Sequence, residues 1–146
     1  MSLIKPLQQT ALETLGSLLA SVSTANGYRT DWDRVVYWQD MPTEYDRNWL
    51  TYRDIFSEFS EPNRQHEQKL TVEIQGLLFG QDPATAGILA LNDLIEVLGT
   101  DLTLGGTCLY VRLKQAEKEV VTGGKPVCSI VLSIEIVLRT GRFQPR

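Results

Sequence analysis

From Cys128 to Leu138 every second residue is apolar: Cys128, Ile130, Leu132, Ile134, Ile136 and Leu138. Side chains on a strand alternate between faces, whereas a helix repeats about every 3.6 residues, so this run specifies one long strand with a continuous apolar face. Its other residues, Ser129, Val131, Ser133, Glu135 and Val137, are mixed in character, as expected for a central strand or one that meets a partner. Lys69 to Leu78 repeats the alternation, with Leu70, Val72 and Ile74 on one side and Thr71, Glu73 and Gln75 on the other. Two such strands need a cover over their apolar faces.

The cover is encoded in two amphipathic segments. Between Leu3 and Ala25, the residues Leu7, Ala11, Leu15, Leu18, Leu19 and Val22 recur at helical spacing, and Asn26-Gly27 supplies a left-handed stop. The opposite face, with Gln8, Gln9, Thr10, Thr14, Ser17, Ser21 and Ser23, is polar and almost uncharged, which suits either water or a neighbour. Asp82 is placed as the N-cap of a second helix with Pro83 at its first position; Ala84, Ile88, Leu91, Leu94, Ile95 and Leu98 form its stripe and Gly99 closes it. Further strand signals fall at Val35 to Trp38, Trp49 to Arg53 and Thr107 to Gln115. Trp49, Tyr52, Phe56 and Phe59 are also spaced as on a helix, so that region reads both ways, with burial in the core competing with exposure. Ala116 to Pro126 contains Gly123-Gly124 and reads as a hairpin tip between two long strands. The expected fold is α+β: residues 1–146 as one domain, an antiparallel, twisted sheet of four to five strands, and both helices packed on one face.

Composition narrows the function. The chain has 146 residues and a formal charge of -4. Residues 29–67 hold five basic and nine acidic residues and so carry the whole net charge. Within Gln39 to Gln68, Asp40, Glu44, Asp46, Asp54, Glu58, Glu61 and Glu67 stand among the four large aromatics. This balance argues against a chain-wide attraction to nucleic acid or anionic lipid. No apolar run approaches the roughly 18 residues of a membrane span, and no signal-peptide pattern opens the chain, so a soluble cytoplasmic protein is expected.

Catalytic patterns are sparse. Asp31 and Asp33, with Asp40 and Glu44, are the carboxylates that a hydrolase or divalent-cation site would draw on, but no EF-hand or Glu-x-x-His spacing accompanies them. Cys108 and Cys128 lie in strand-like alternations and read as buried thiols; His66 is the single histidine. Gly105-Gly106 and Gly123-Gly124 read as turns, because neither fits a phosphate-loop spacing. Arg112, Lys114, Lys118 and Lys125 make a basic cluster interrupted by Glu117 and Glu119, which reads as a solvated tip. No catalytic residue, metal or cofactor is therefore expected.

Three stretches in order carry a family resemblance: Ala25-Asn26-Gly27-Tyr28-Arg29-Thr30-Asp31 after the first helix, Asp101-Leu102-Thr103-Leu104-Gly105-Gly106 after the second, and the end of the last strand, Val137-Leu138-Arg139-Thr140. Together they resemble the tail terminator, or minor tail and tail-completion, proteins of siphophages and prophages. The segment Gln39 to Gln68 is long and aromatic-rich for that family. The resemblance implies a non-enzymatic subunit that forms a ring, typically of six copies, on the end of the tail tube. Such a ring halts tube growth, offers a surface to the head-completion or connector protein and lets DNA pass without specific binding. It implies residence in the host cytoplasm during assembly and then in the virion tail, away from membranes. Trp49, Tyr52, Phe56 and Phe59 are the candidate partner-contacting residues. The competing reading is a small-molecule-binding or regulatory domain with Trp38, Trp49, Tyr52 and Phe56 lining a pocket.

Overall fold

The computed structural model describes residues 6–38, 47–60, 66–121 and 126–140. Its elements follow the order α1 (Leu7–Ala20), β1 (Arg34–Tyr37), β2 (Trp49–Ser60), β3 (His66–Phe79), α2 (Pro83–Gly99), β4 (Tyr110–Val121) and β5 (Val127–Thr140). The fold is α+β, as the alternating and helical patterns predict. Five strands form one sheet in the order β1-β2-β3-β5-β4. The sheet is mixed, not antiparallel throughout, because β1 pairs parallel to β2 while the other three pairings are antiparallel.

The alternation of β3 and β5 creates the core. Leu70, Val72, Ile74 and Leu78 line up beside Ile136, Ile134, Leu132 and Cys128, and all are buried. Ala11, Leu15 and Leu19 of α1 and Ala90, Leu94 and Val97 of α2 join them in a single apolar cluster. Two glycines allow close approach: a Cβ on Gly16 would collide with the Tyr52 ring, and one on Gly87 would stand 2.5 Å from the Cys128 sulfur. The second contact corrects the expected α2 stripe. Its buried line runs through Pro83, Gly87, Ala90, Asp93, Leu94, Val97 and Leu98, while Ile88 and Ile95 are exposed. Small residues at Gly87 and Ala90 let the helix sit down on the sheet, with Leu94, Val97 and Leu98 buried beside them and Ile88 and Ile95 turned outward.

Asp82 caps α2 as expected, its Oδ1 accepting the Thr85 N–H at 3.3 Å. The first helix is shorter than its pattern: it ends at Ala20, and Thr24–Asn26 form a separate 3-10 turn closed by Gly27 at φ 89°. The part of the expected helix before Pro6 lies outside the described residues. The tip of the second hairpin is narrower than Ala116 to Pro126, since β4 continues to Val121. Gly123-Gly124 and Lys125 lie outside the described residues. Asp101 shapes the turn after α2 by accepting the Gly105 N–H at 2.8 Å, with Leu104, Gly105 and Gly106 all in the left-handed region.

Arg29 fixes the segment that follows the 3-10 turn. Its backbone N–H and its Nε each donate to the fully buried Asp93 at 2.9 Å, and its outer nitrogen reaches Glu96 at 2.5 Å. Asp93, placed among apolar neighbours on α2, thus has its charge matched and both oxygens bonded.

Candidate assembly interface

Residues 49–60 form one strand, not a helix. The aromatics at helical spacing are distributed over it by a change of phase: Asp54 pairs with Val72 and Phe56 with Thr71, leaving Ile55 as a bulge. Before the bulge Tyr52 and Asp54 share the face of Ile74 and Val72, whereas after it Phe56 and Glu58 lie on the opposite face, that of Thr71 and Lys69, and Ser57 and Phe59 on the face of Leu70 and Gln68. A pattern search cannot see this, since one extra residue moves every later side chain to the other face.

The four candidate residues separate accordingly. Trp49 is 3% exposed, with the Arg34 guanidinium 5.4 Å above its ring, and Tyr52 is 8% exposed against Gly16. Burial removes these two from any docking surface of the folded subunit. Phe56 and Phe59, at 57% and 65%, are presented to solvent together with Ile55. The reason is topological: β1 pairs only with Trp49–Tyr52, so beyond Arg53 the outer edge of β2 has no strand partner among the described residues.

Asp54 organises the base of this exposed stretch. It accepts hydrogen bonds from Gln8 Nε2 at 2.8 Å, Trp38 Nε1 at 2.8 Å and the Tyr37 hydroxyl. Gln8 in turn accepts from Gln68 Nε2 at 2.9 Å, which explains why that part of α1 is polar without charge. Burial, with the Asp54 carboxylate beside it, holds the Tyr37 hydroxyl protonated well beyond the ordinary tyrosine range. In the sequence Asp54 is one acid among seven between Gln39 and Gln68. Its only local signal is its position between Arg53 and a run of aromatics.

The opposite edge of the sheet is also open. Nearly all of β4 is exposed. At its upper end the Val111 N–H donates to the Leu102 carbonyl at 2.8 Å, so a loop covers that end; from Leu113 onward the outer side has no strand partner among the described residues. A second bulge, at Lys114 between Leu113 and Gln115, breaks the register of this strand as well. Arg112 reaches the buried Glu135 at 2.7 Å, and Lys114 reaches it at 3.8 Å. The basic cluster is therefore partly paired and not purely a solvated tip.

Of the carboxylates weighed for a cation or hydrolase site, Asp31 and Asp33 are each engaged by a partner of their own. Asp31 accepts from the backbone and side chain of Thr24, and Asp33 lies 3.3 Å from Arg47. Asp40 and Glu44 lie outside the described residues. Among the described residues no group of three or more His, Cys, Asp and Glu is placed to hold a metal. Cys108 and Cys128 are buried free thiols, as expected, and burial pushes Cys108 up to about 11. A cavity of about 440 Å³ lies where α1 meets β1 and β2, lined by Gln8, Gln9, Leu12, Glu13, Tyr37 and Tyr52. Of the aromatics expected in a pocket, only Tyr52 lines it. Among the described residues no helix is long and apolar enough to cross a membrane.

No protein-family model matches the chain, and no curated protein matches it.

Proposed function

We propose that the protein is a structural subunit that works by assembling with copies of itself and with other proteins, in the manner of a phage tail terminator. The observation that carries this reading is the exposed end of β2, where Ile55, Phe56 and Phe59 stand on an edge with no strand partner among the described residues. Large aromatics dominate interface energetics, and a free edge is a template for another chain. In this account both helices cover the same sheet face, with Gly16 against Tyr52 and Gly87 against Cys128, and leave the other face to line or flank a central opening. The subunits form a ring, six in the family it resembles, that caps the tail-tube protein and meets the head-completion or connector protein, first in the host cytoplasm and then in the virion tail.

DNA moving through such a ring must not stick. Each unpaired cation at the wall would add salt-sensitive phosphate affinity. Arg112 and Lys114 lean on Glu135, and Arg139 stands 3.5 Å from Glu67, which favours passage without specific binding. The work asks for no catalytic residue, metal or cofactor. Electron microscopy of the concentrated protein is the test: annular particles with an open centre support the reading, and isolated single subunits at every concentration contradict it.

The cavity beside Tyr37 and Tyr52 supports the second reading, a small-molecule-binding domain. A compound screen by thermal shift separates the two, because a ligand of this cavity raises the melting temperature of wild type and not of Tyr37→Ala.

A further inference from the structure

We propose that the halves of β2 and of β4 that have no strand partner among the described residues are the two sides of one contact, through which a second copy of this chain continues the sheet. This rests on the assembly reading above and adds which residues meet.

Strand polarity comes first. The pairings make β2, β3, β5 and β4 alternate in direction across the sheet. A copy set alongside in the same sense therefore brings its β2 antiparallel to the first copy's β4, with no inversion. Coverage comes next. β1 blocks β2 as far as Tyr52, and the Leu102 loop blocks β4 at Val111. Within one sheet Ser57 stands level with Val111, and Trp49 with Glu119, so the two stretches of the contact lie at opposite ends. Two copies can join them only with an offset.

Backbone phase and side chains select the register. The Tyr52 carbonyl accepts from Trp38 and the Val111 N–H donates to Leu102, so both residues turn their backbone groups outward. Alternation, with each bulge skipped, then turns Asp54, Ser57 and Phe59 outward on β2 and Leu113, Ala116 and Lys118 outward on β4. Joined antiparallel, these residues form the pairs Asp54 with Lys118, Ser57 with Ala116 and Phe59 with Leu113. Opposite charges meet at one end and two exposed apolar side chains at the other, while Glu58 falls across from Gln115. Setting Ser57 against Lys118 instead would place Glu58 against Glu117, a like-charge pair.

The same register offsets each copy by four sheet positions over a width of four strands. At ~3.3 Å per residue and ~4.8 Å per strand this corresponds to a strand tilt of about 35°, the lower end of the range in closed barrels. A two-fold contact of β2 with β2, or of β4 with β4, leaves one edge of every copy open. The head-to-tail contact uses both edges of every copy and is the type that closes into rings.

The test uses two full-length variants, Ser57→Cys and Ala116→Cys, purified separately, with both native thiols buried. Each is treated with a short bis-maleimide alone and after mixing, at concentrations where wild type self-associates. The proposal expects covalent dimers in the mixture and not in either variant alone. Dimers from Ser57→Cys alone would show a two-fold β2 contact and overturn it. No dimers in the mixture, with wild type sedimenting as an oligomer, overturn this contact and leave the assembly reading standing; monomers throughout overturn both. Phe59→Cys with Leu113→Cys is the second pair and gives the same readout if the first perturbs folding.

Discussion

Asp93 shows what a single residue does in this fold and why it is hard to foresee. It occupies a position on the buried line of α2 where the helical pattern calls for an apolar side chain, and it is there to receive two hydrogen bonds from Arg29. Asp93→Asn keeps the shape and weakens the charge match, so it should lower the melting temperature, and Asp93→Leu, which leaves the Arg29 N–H without its acceptor, should lower it further. Thermal unfolding of the two variants checks that order. Leu15 is fully buried, and Leu15→Ala should cost about 2–5 kcal/mol by denaturant titration. The same substitution at Leu91, which is only partly buried, should cost less. The buried thiols give a pH signature. The Cys108 pKa rises from an ordinary 9.0 to about 11 because burial disfavours the thiolate. The folded state then holds a proton that the unfolded state releases, so this contribution is complete below pH 9 and is lost as pH rises from about 9 to 11. Urea midpoints across that interval should fall, and fall less in Cys108→Ala.

At the scale of elements, the two central strands and the start of α2 were legible because each rests on a local rule. Alternation over ten or more residues leaves one solution for β3 and β5. The Asp-Pro start of α2 is a capping signal that acts within one turn. What was not legible depends on contacts distant in sequence. The α2 stripe is displaced because Gly87 and Ala90 permit an approach that Ile88 would prevent, and the length of β2 follows from its pairing with β3 through a bulge that sequence spacing disguises as a helix. The parallel pairing of β1 has no local signal. The helix-to-sheet approach makes its own prediction. Gly87→Ala places a methyl 2.5 Å from the Cys128 sulfur and should destabilise the protein, although alanine is the better helix former. Cys128→Ala in that background should recover part of the loss, and a double-mutant cycle measures the coupling.

At the scale of the whole molecule, the sheet ends in two edges that are half covered among the described residues, and Phe56 and Phe59 stand exposed on one of them. Of the four aromatics expected to meet partners, Phe56 and Phe59 are exposed, while the burial of Trp49 and Tyr52 depends on β1 and α1 packing over them, which no local pattern announces. The concentrated acidity of residues 29–67 was visible in composition, yet its use of Asp54 as an acceptor for Gln8, Tyr37 and Trp38 needed the fold. Under the proposed function, a subunit that caps a tube must not polymerise freely, so the contacts should be modest and assembly dependent on concentration. Sedimentation velocity of wild type and Phe59→Ser over a wide concentration range tests the central claim most directly. Wild type should pass from monomer to one discrete oligomer as concentration rises, and Phe59→Ser, folded as judged by its unchanged melting temperature, should need roughly tenfold more protein to do so. Wild type that remains monomeric at every concentration, or an oligomer indifferent to the loss of Phe59, would contradict it.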